Sequence, residues 1–171
     1  MNNLDMTLRR PTVDDGADLH RLIASCPPLD VNSRYAYLII CRDFADTSVV
    51  ASNGRGELCG AITAYRPQAK PHILFVWQVA VQPTCRGQGL AHRMLRHLLQ
   101  RQSLLGISWV EATVGPDNRA SRNLFAGLAA ERAVRMTTTP LFDSRHLGEG
   151  HEPELLHRVG PLHVAALRQA V

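Results

Sequence analysis

The stretch Val79-Ala80-Val81-Gln82-Pro83-Thr84-Cys85-Arg86-Gly87-Gln88-Gly89-Leu90-Ala91 decides the fold. An apolar run with strand chemistry enters a Gly-bearing turn, and the turn opens an amphipathic helix whose stripe is Leu90, Met94, Leu95, Leu98 and Leu99. In such a turn successive N–H groups point into one hollow, and the helix N-terminus adds partial positive charge. Together they suit a pyrophosphate. Gly87 and Gly89 allow backbone to approach a ligand where a Cβ would intrude. A Walker loop is excluded because no Gly-Lys-Ser/Thr follows, and a dinucleotide fingerprint because His92 stands where its third glycine belongs. A purely structural strand–turn–helix is the plain alternative.

Working outward, Met6 to Arg9 reads as a short strand. Thr12 or Asp14 can cap a helix to about Ser25, which Cys26-Pro27-Pro28 stops. Leu29-Asp30-Val31-Asn32-Ser33 is a loop, and Ser33 caps a second helix to about Phe44. Strands over 48–52 and 58–65 flank the turn Asn53-Gly54-Arg55-Gly56. Ile73 to Val81 is so apolar, broken only by Gln78, that both of its faces are expected to be covered. The helix from Gly89 is expected to end near Gln102. Trp109 to Val114 is a strand, Asn118 or Ala120 to Leu128 a helix, Ala133 to Thr139 a strand, 143–153 a polar loop, and Leu155 to Val159 a last strand. The class is mixed α/β.

The 171 residues are 45% hydrophobic and 20% charged, enough for a real core without metals or disulfides. No apolar run approaches the ~18 residues of a membrane span, and no signal-peptide pattern opens the chain. The four scattered cysteines, Cys26, Cys41, Cys59 and Cys85, form no C-x-x-C pair and read as free thiols of a cytoplasmic protein. The net charge is +4, and positions 86–122 alone carry six arginines against Glu111 and Asp117, so the whole excess lies there. A solvated Arg-rich helix face is one reading and a phosphate-bearing ligand the other. Nucleic acid is not expected: there is no long basic run and only 5% of residues are aromatic.

Arg86-Gly87-Gln88-Gly89-Leu90-Ala91 resembles the R/Q-x-x-G-x-G/A acetyl-CoA motif of the GNAT acetyltransferases. Asn118-Arg119-Ala120-Ser121-Arg122-Asn123-Leu124-Phe125 is similar to their second cofactor helix, at the usual interval. Leu29 to Tyr37, Phe75 to Val81, Pro116-Asp117-Asn118, His151-Glu152-Pro153-Glu154 and Arg158-Val159-Gly160-Pro161 resemble, more narrowly, the diaminobutyrate acetyltransferases of ectoine biosynthesis. The likeness runs over about residues 7–162. It implies one GNAT domain over 1–171, α/β, with a mixed, mostly antiparallel sheet of six to seven strands, about four helices, and strands splayed at the acetyl-CoA site. It implies acetyl transfer from acetyl-CoA to the 4-amino group of L-2,4-diaminobutyrate, with no metal. By analogy it also implies a homodimer. A GNAT enzyme for another small amine, or a non-catalytic acetyl-CoA-binding module, is the alternative.

For the cofactor the resemblance nominates Val79 and Val81 beside the pantetheine arm, Arg86, Gly87, Gln88, Gly89, Leu90 and Ala91 around the pyrophosphate, and Asn118, Ser121 and Phe125 on the second helix. Many GNAT enzymes carry a Tyr at the last of these positions, as proton donor to the departing thiolate; Phe125 has no proton to give. Diaminobutyrate carries two ammonium groups and a carboxylate, so its site needs carboxylates of its own. Asp30 and Glu111 are the candidates for binding and for catalysis. Glu111 lies between Val110 and Ala112, a costly setting for an unpaired charge; a polar pocket or a partner arginine would each account for it. Asn32, Tyr35, Tyr37, Trp77, His151 and Glu154 complete the expected substrate set, with one of the two tyrosines readable as core.

Overall fold

A computed structural model describes residues 6–148 and 154–162. They fall into two compact units, the first spanning Met1–Tyr65 and Phe75–Leu104, the second Arg66–Leu74 and Leu105–Val171, each over its described residues.

In the first unit, β1 (Thr7–Arg9) leads to a 3₁₀ turn, Val13–Asp15, and Asp15 binds the two together. Its carboxylate accepts from both guanidinium arms of Arg9 at 2.7 Å and from the Thr12 amide at 2.7 Å. Burial pushes that carboxyl up, but the Arg9 fork and the Thr12 amide outweigh it and hold the group below the ordinary carboxylate value. The first helix, α1 (Gly16–Ala24), buries Leu19, Leu22 and Ile23. Ser33 caps α2 (Arg34–Asp43) by accepting from the Ala36 amide at 3.2 Å, and Tyr37, Ile40 and Cys41 face inward. β2 (Val49–Ser52) and β3 (Leu58–Tyr65) are joined by a turn in which the Asn53 side-chain oxygen accepts from the Arg55 and Glu57 amides. With β4 (Ile73–Val81) the strand order is β1-β2-β3-β4, each pair antiparallel.

The expectation that both faces of β4 are covered fails. Leu74, Val76, Gln78 and Ala80 are buried, whereas Phe75, Val79 and Val81 are partly open and Trp77 is 46% exposed. Strand alternation puts Trp77 on the open face with Phe75, Val79 and Val81. Thr63 pairs with Gln78 and Ala64 with Val76, so a bulge there leaves Trp77 without an opposite number.

The third helix, α3 (Leu90–Leu99), packs on β2 and β3 through Leu90, Met94, Leu95 and Leu98. It ends short of the expected Gln102, and a 3₁₀ turn, Gln102–Leu104, follows. Arg101 closes that end by donating to the carbonyls of Ala45, Asp46 and Ser48, the last at 2.6 Å.

In the second unit, β5 (Trp109–Val114), α4 (Arg119–Glu131), β6 (Arg135–Phe142), α5 (Ser144–Leu147) and β7 (Glu154–Gly160) follow in order. The strands lie β5-β7-β6, antiparallel throughout. Leu124, Phe125 and Leu128 of α4 are buried with Val110, Ala112, Val114 and Val159. Gly160 has φ 148°, and a Cβ there would stand 2.6 Å from the Ser108 carbonyl oxygen, so no side chain fits. All four cysteines are buried and free. Among the described residues no helix is long and apolar enough to cross a membrane, and no group of three His, Cys, Asp or Glu is placed to hold a metal.

Candidate active site

The turn after β4 is built by short bonds that leave its glycines open. The Cys85 amide donates to the Gln82 carbonyl at 2.8 Å and the Arg86 amide to that of Pro83 at 3.3 Å. Arg86 reaches back to β4, its Nε donating to the Val81 carbonyl at 3.0 Å, where the Cys26 thiol also donates. Gly87 and Gly89 then take φ +74° and +71°, the left-handed region that a side chain resists. A Cβ built at either meets nothing within 4 Å. No packing demand therefore explains the absence of side chains, and the open space beside the backbone is what an anionic ligand would use. Gly89 is the N-cap of α3 and brings no side-chain oxygen to the first turn of the helix. These are the residues that fit the diphosphate of a coenzyme.

Asn118 opens α4 differently. Its side-chain oxygen accepts from the Ser121 amide at 3.0 Å, which leaves its NH₂ as the group for a ligand. Phe125, about two turns further on, is fully in the core of the second unit.

Of the acceptor candidates of the first unit, Asp30 and Asn32 lie on the loop between α1 and α2, Tyr35 and Tyr37 at the start of α2, and Trp77 on β4. Asp30 and Tyr35 are exposed, Tyr35 at 71%, and Asn32 is half-buried. Tyr37 is corrected: it is completely buried, its hydroxyl accepting from the Asn32 amide at 3.2 Å and donating to Gln78 Oε1 at 3.3 Å. It stands behind the loop and cannot itself present a hydroxyl to a ligand. Gln78 also donates through Nε2 to the Asp30 carbonyl at 2.7 Å. Sequence reasoning passed over Gln78, although a lone amide in an apolar strand was the available signal.

Glu111, in the second unit, is 5% exposed. It pairs across the ladder with Arg158, whose Nε donates to Oε1 at 2.6 Å and whose Nη2 contacts the same oxygen. Arg158 in turn lies over the Trp109 ring, 5.3 Å from its centroid. A partner arginine thus accounts for the buried charge, and both contacts fall on one carboxylate oxygen, leaving Oε2 outside the pair. Glu154 is half-buried at the start of β7. His151 lies outside the described residues.

With fold and site in view, comparison with known proteins fixes the class. The chain belongs to the acetyltransferase (GNAT) family, whose pattern matches residues 17–128. Within it, the L-2,4-diaminobutyric acid acetyltransferase of Bordetella parapertussis is 48% identical over 90% of this chain and 83% of its own. The protein of the same name from Streptomyces coelicolor is 46% identical over 92% and 94%. A diaminobutyrate acetyltransferase from Paenibacillus lautus, solved with L-2,4-diaminobutyric acid and coenzyme A, superposes with a TM-score of 0.89 at 38% identity, covering 92% of this chain and 96% of that one. The expected α/β GNAT fold is the one observed, with seven strands and four helices of nine residues or more among the described residues.

Proposed function

We propose that this protein transfers the acetyl group of acetyl-CoA to the 4-amino group of L-2,4-diaminobutyrate, giving the N4-acetyl product used in ectoine biosynthesis. The observation that carries the reading is the turn Gly87–Gly89. Two left-handed glycines front open space at an uncapped helix end, in a chain 48% identical to a named diaminobutyrate acetyltransferase. The whole chain then acts as one GNAT domain, in the cytoplasm and as a homodimer.

When bound, acetyl-CoA supplies the thioester carbonyl as electrophile and a thiolate as leaving group. The chain's own work is to hold that carrier, fix the acceptor and take a proton. Backbone amides from Arg86 to Ala91 hold the diphosphate, with Val79, Val81, Asn118 and Ser121 along the remaining arm. Asp30 binds an ammonium of the acceptor and receives its proton, so that the freed amine attacks directly. Trp77 packs its outward ring on the acceptor, Tyr35 donates to the acceptor carboxylate, and Glu154 borders the entrance. Glu111 contributes negative charge through Oε2 while Arg158 fixes its position. No acyl-enzyme is required: Cys85 is buried in the turn itself. Phe125 gives no proton, so the departing thiolate takes one from the nitrogen of the tetrahedral intermediate, which must lose it to become the amide, either directly or relayed through water or another hydroxyl.

A substrate panel tests this reading. Diaminobutyrate should be acetylated and putrescine, which lacks the carboxylate, refused. Equal turnover of both would favour a general polyamine acetyltransferase, and cofactor binding without product for any amine a non-catalytic module.

A further inference from the structure

We propose that Gln78 is the positioning residue of the acceptor side, a buried clamp that sets where Asp30 stands. The inference rests on the reading that Asp30 holds the amine. It begins from an anomaly in β4. Every other inward position of that strand from Leu74 to Ala80 is apolar, yet Gln78 is 5% exposed and carries an amide whose burial is costly unless its polar atoms are met.

All of those atoms are met, and the partners share a theme. Nε2 donates to the Asp30 carbonyl at 2.7 Å, and Oε1 accepts from the Tyr37 hydroxyl at 3.3 Å. That hydroxyl accepts from the Asn32 amide at 3.2 Å. The backbone of the α1–α2 loop is therefore gripped on both sides of Val31, at residues 30 and 32, by one amide and the phenol it orients. The Gln78 amide N–H donates to Thr63 Oγ1 at 3.2 Å, at the same register shift that leaves Trp77 unpaired. The bulge that leaves Trp77 unpaired thus also anchors the residue whose amide holds Asp30. Loops that bind small ligands are usually mobile, and fixing this one by strand-borne hydrogen bonds is what a pre-organised carboxylate requires. Methionine would fill the same volume; only the hydrogen-bonding groups distinguish glutamine at this position.

The test is Gln78→Met, with Tyr37→Phe as the milder companion that removes one O–H and little volume. Wild-type acetylation of diaminobutyrate tests the underlying reading; the clamp is read from the ratio of variant to wild type and from amide exchange, which needs no activity. In Gln78→Met the diaminobutyrate KM should rise about tenfold while the acetyl-CoA KM stays within about twofold. In Tyr37→Phe the diaminobutyrate KM should rise about threefold, and this variant decides if Gln78→Met does not fold. In both, hydrogen exchange at the Asn32 amide should quicken by about the same factors. Unchanged exchange at Asn32 would overturn the clamp whatever the enzyme acetylates. Equal rises in both KM values, or none in the diaminobutyrate KM of a folded variant, would reduce Gln78 to a core residue.

Discussion

Two carboxylates, Asp15 and Glu111, are held by arginines in different ways. Asp15 is structural, and its titration follows from its partners. Because Arg9 and the Thr12 amide hold the folded carboxyl below its unfolded value, its contribution is complete above that unfolded value, ~3.9. It is lost as pH falls through the folded value. Asp15→Asn should therefore lower stability at neutral pH by about 1–3 kcal/mol and flatten the acid limb of a plot of Tm against pH; an unaltered limb would contradict the assignment. Glu111 is proposed to be of the other kind. Arg158 occupies Oε1 alone, so Glu111→Gln should lower kcat about tenfold, a larger change than in the acetyl-CoA KM. Steady-state kinetics with each substrate varied decides it, and a variant impaired only in acetyl-CoA KM would remove Glu111 from the acceptor chemistry.

The phosphate turn and the β7 end make opposite demands on glycine at the level of elements. At Gly89 an added Cβ meets nothing, so Gly89→Ala carries only the strain of a left-handed residue, about 1 kcal/mol, and folds. Its acetyl-CoA KM should nonetheless rise about tenfold, with the diaminobutyrate KM nearly unchanged. At Gly160 the Ser108 carbonyl is in the way, and Gly160→Ala should cost several kcal/mol, on the order of an overpacked core, seen as a lowered Tm or lost soluble protein. A normal Tm would mean that β7 can shift. Sequence patterns located these elements well: β4 and β5 have the expected bounds, Ser33 caps α2 and the second cofactor helix opens at Asn118, whereas Thr12 heads only the 3₁₀ turn before α1, whose N-cap is Asp15. Local chemistry fixes such features. What stayed hidden depends on residues far apart in the chain. Neither the bulge at Trp77 nor the identity of the partner that the Gln78 amide meets, the Asp30 carbonyl, has a local signature. The pairing of Glu111 with Arg158 requires knowing that β5 lies beside β7. Tyr37 and Tyr35, two residues apart on one helix, divide into core and surface only once α2 has a neighbour.

For the molecule as a whole, the account turns on one cofactor grip and one acceptor. The chain's entire excess of positive charge lies in the residues from the turn to the first part of α4, the segment assigned to the coenzyme. Likeness at 38–48% identity extends over about nine-tenths of the chain. The most direct measurement is a single incubation of the purified protein with L-2,4-diaminobutyrate and acetyl-CoA, with the product identified by NMR. The account predicts stoichiometric N4-acetyl-diaminobutyrate and free coenzyme A; acetylation at the 2-amine, or no product while acetyl-CoA binds, would contradict it.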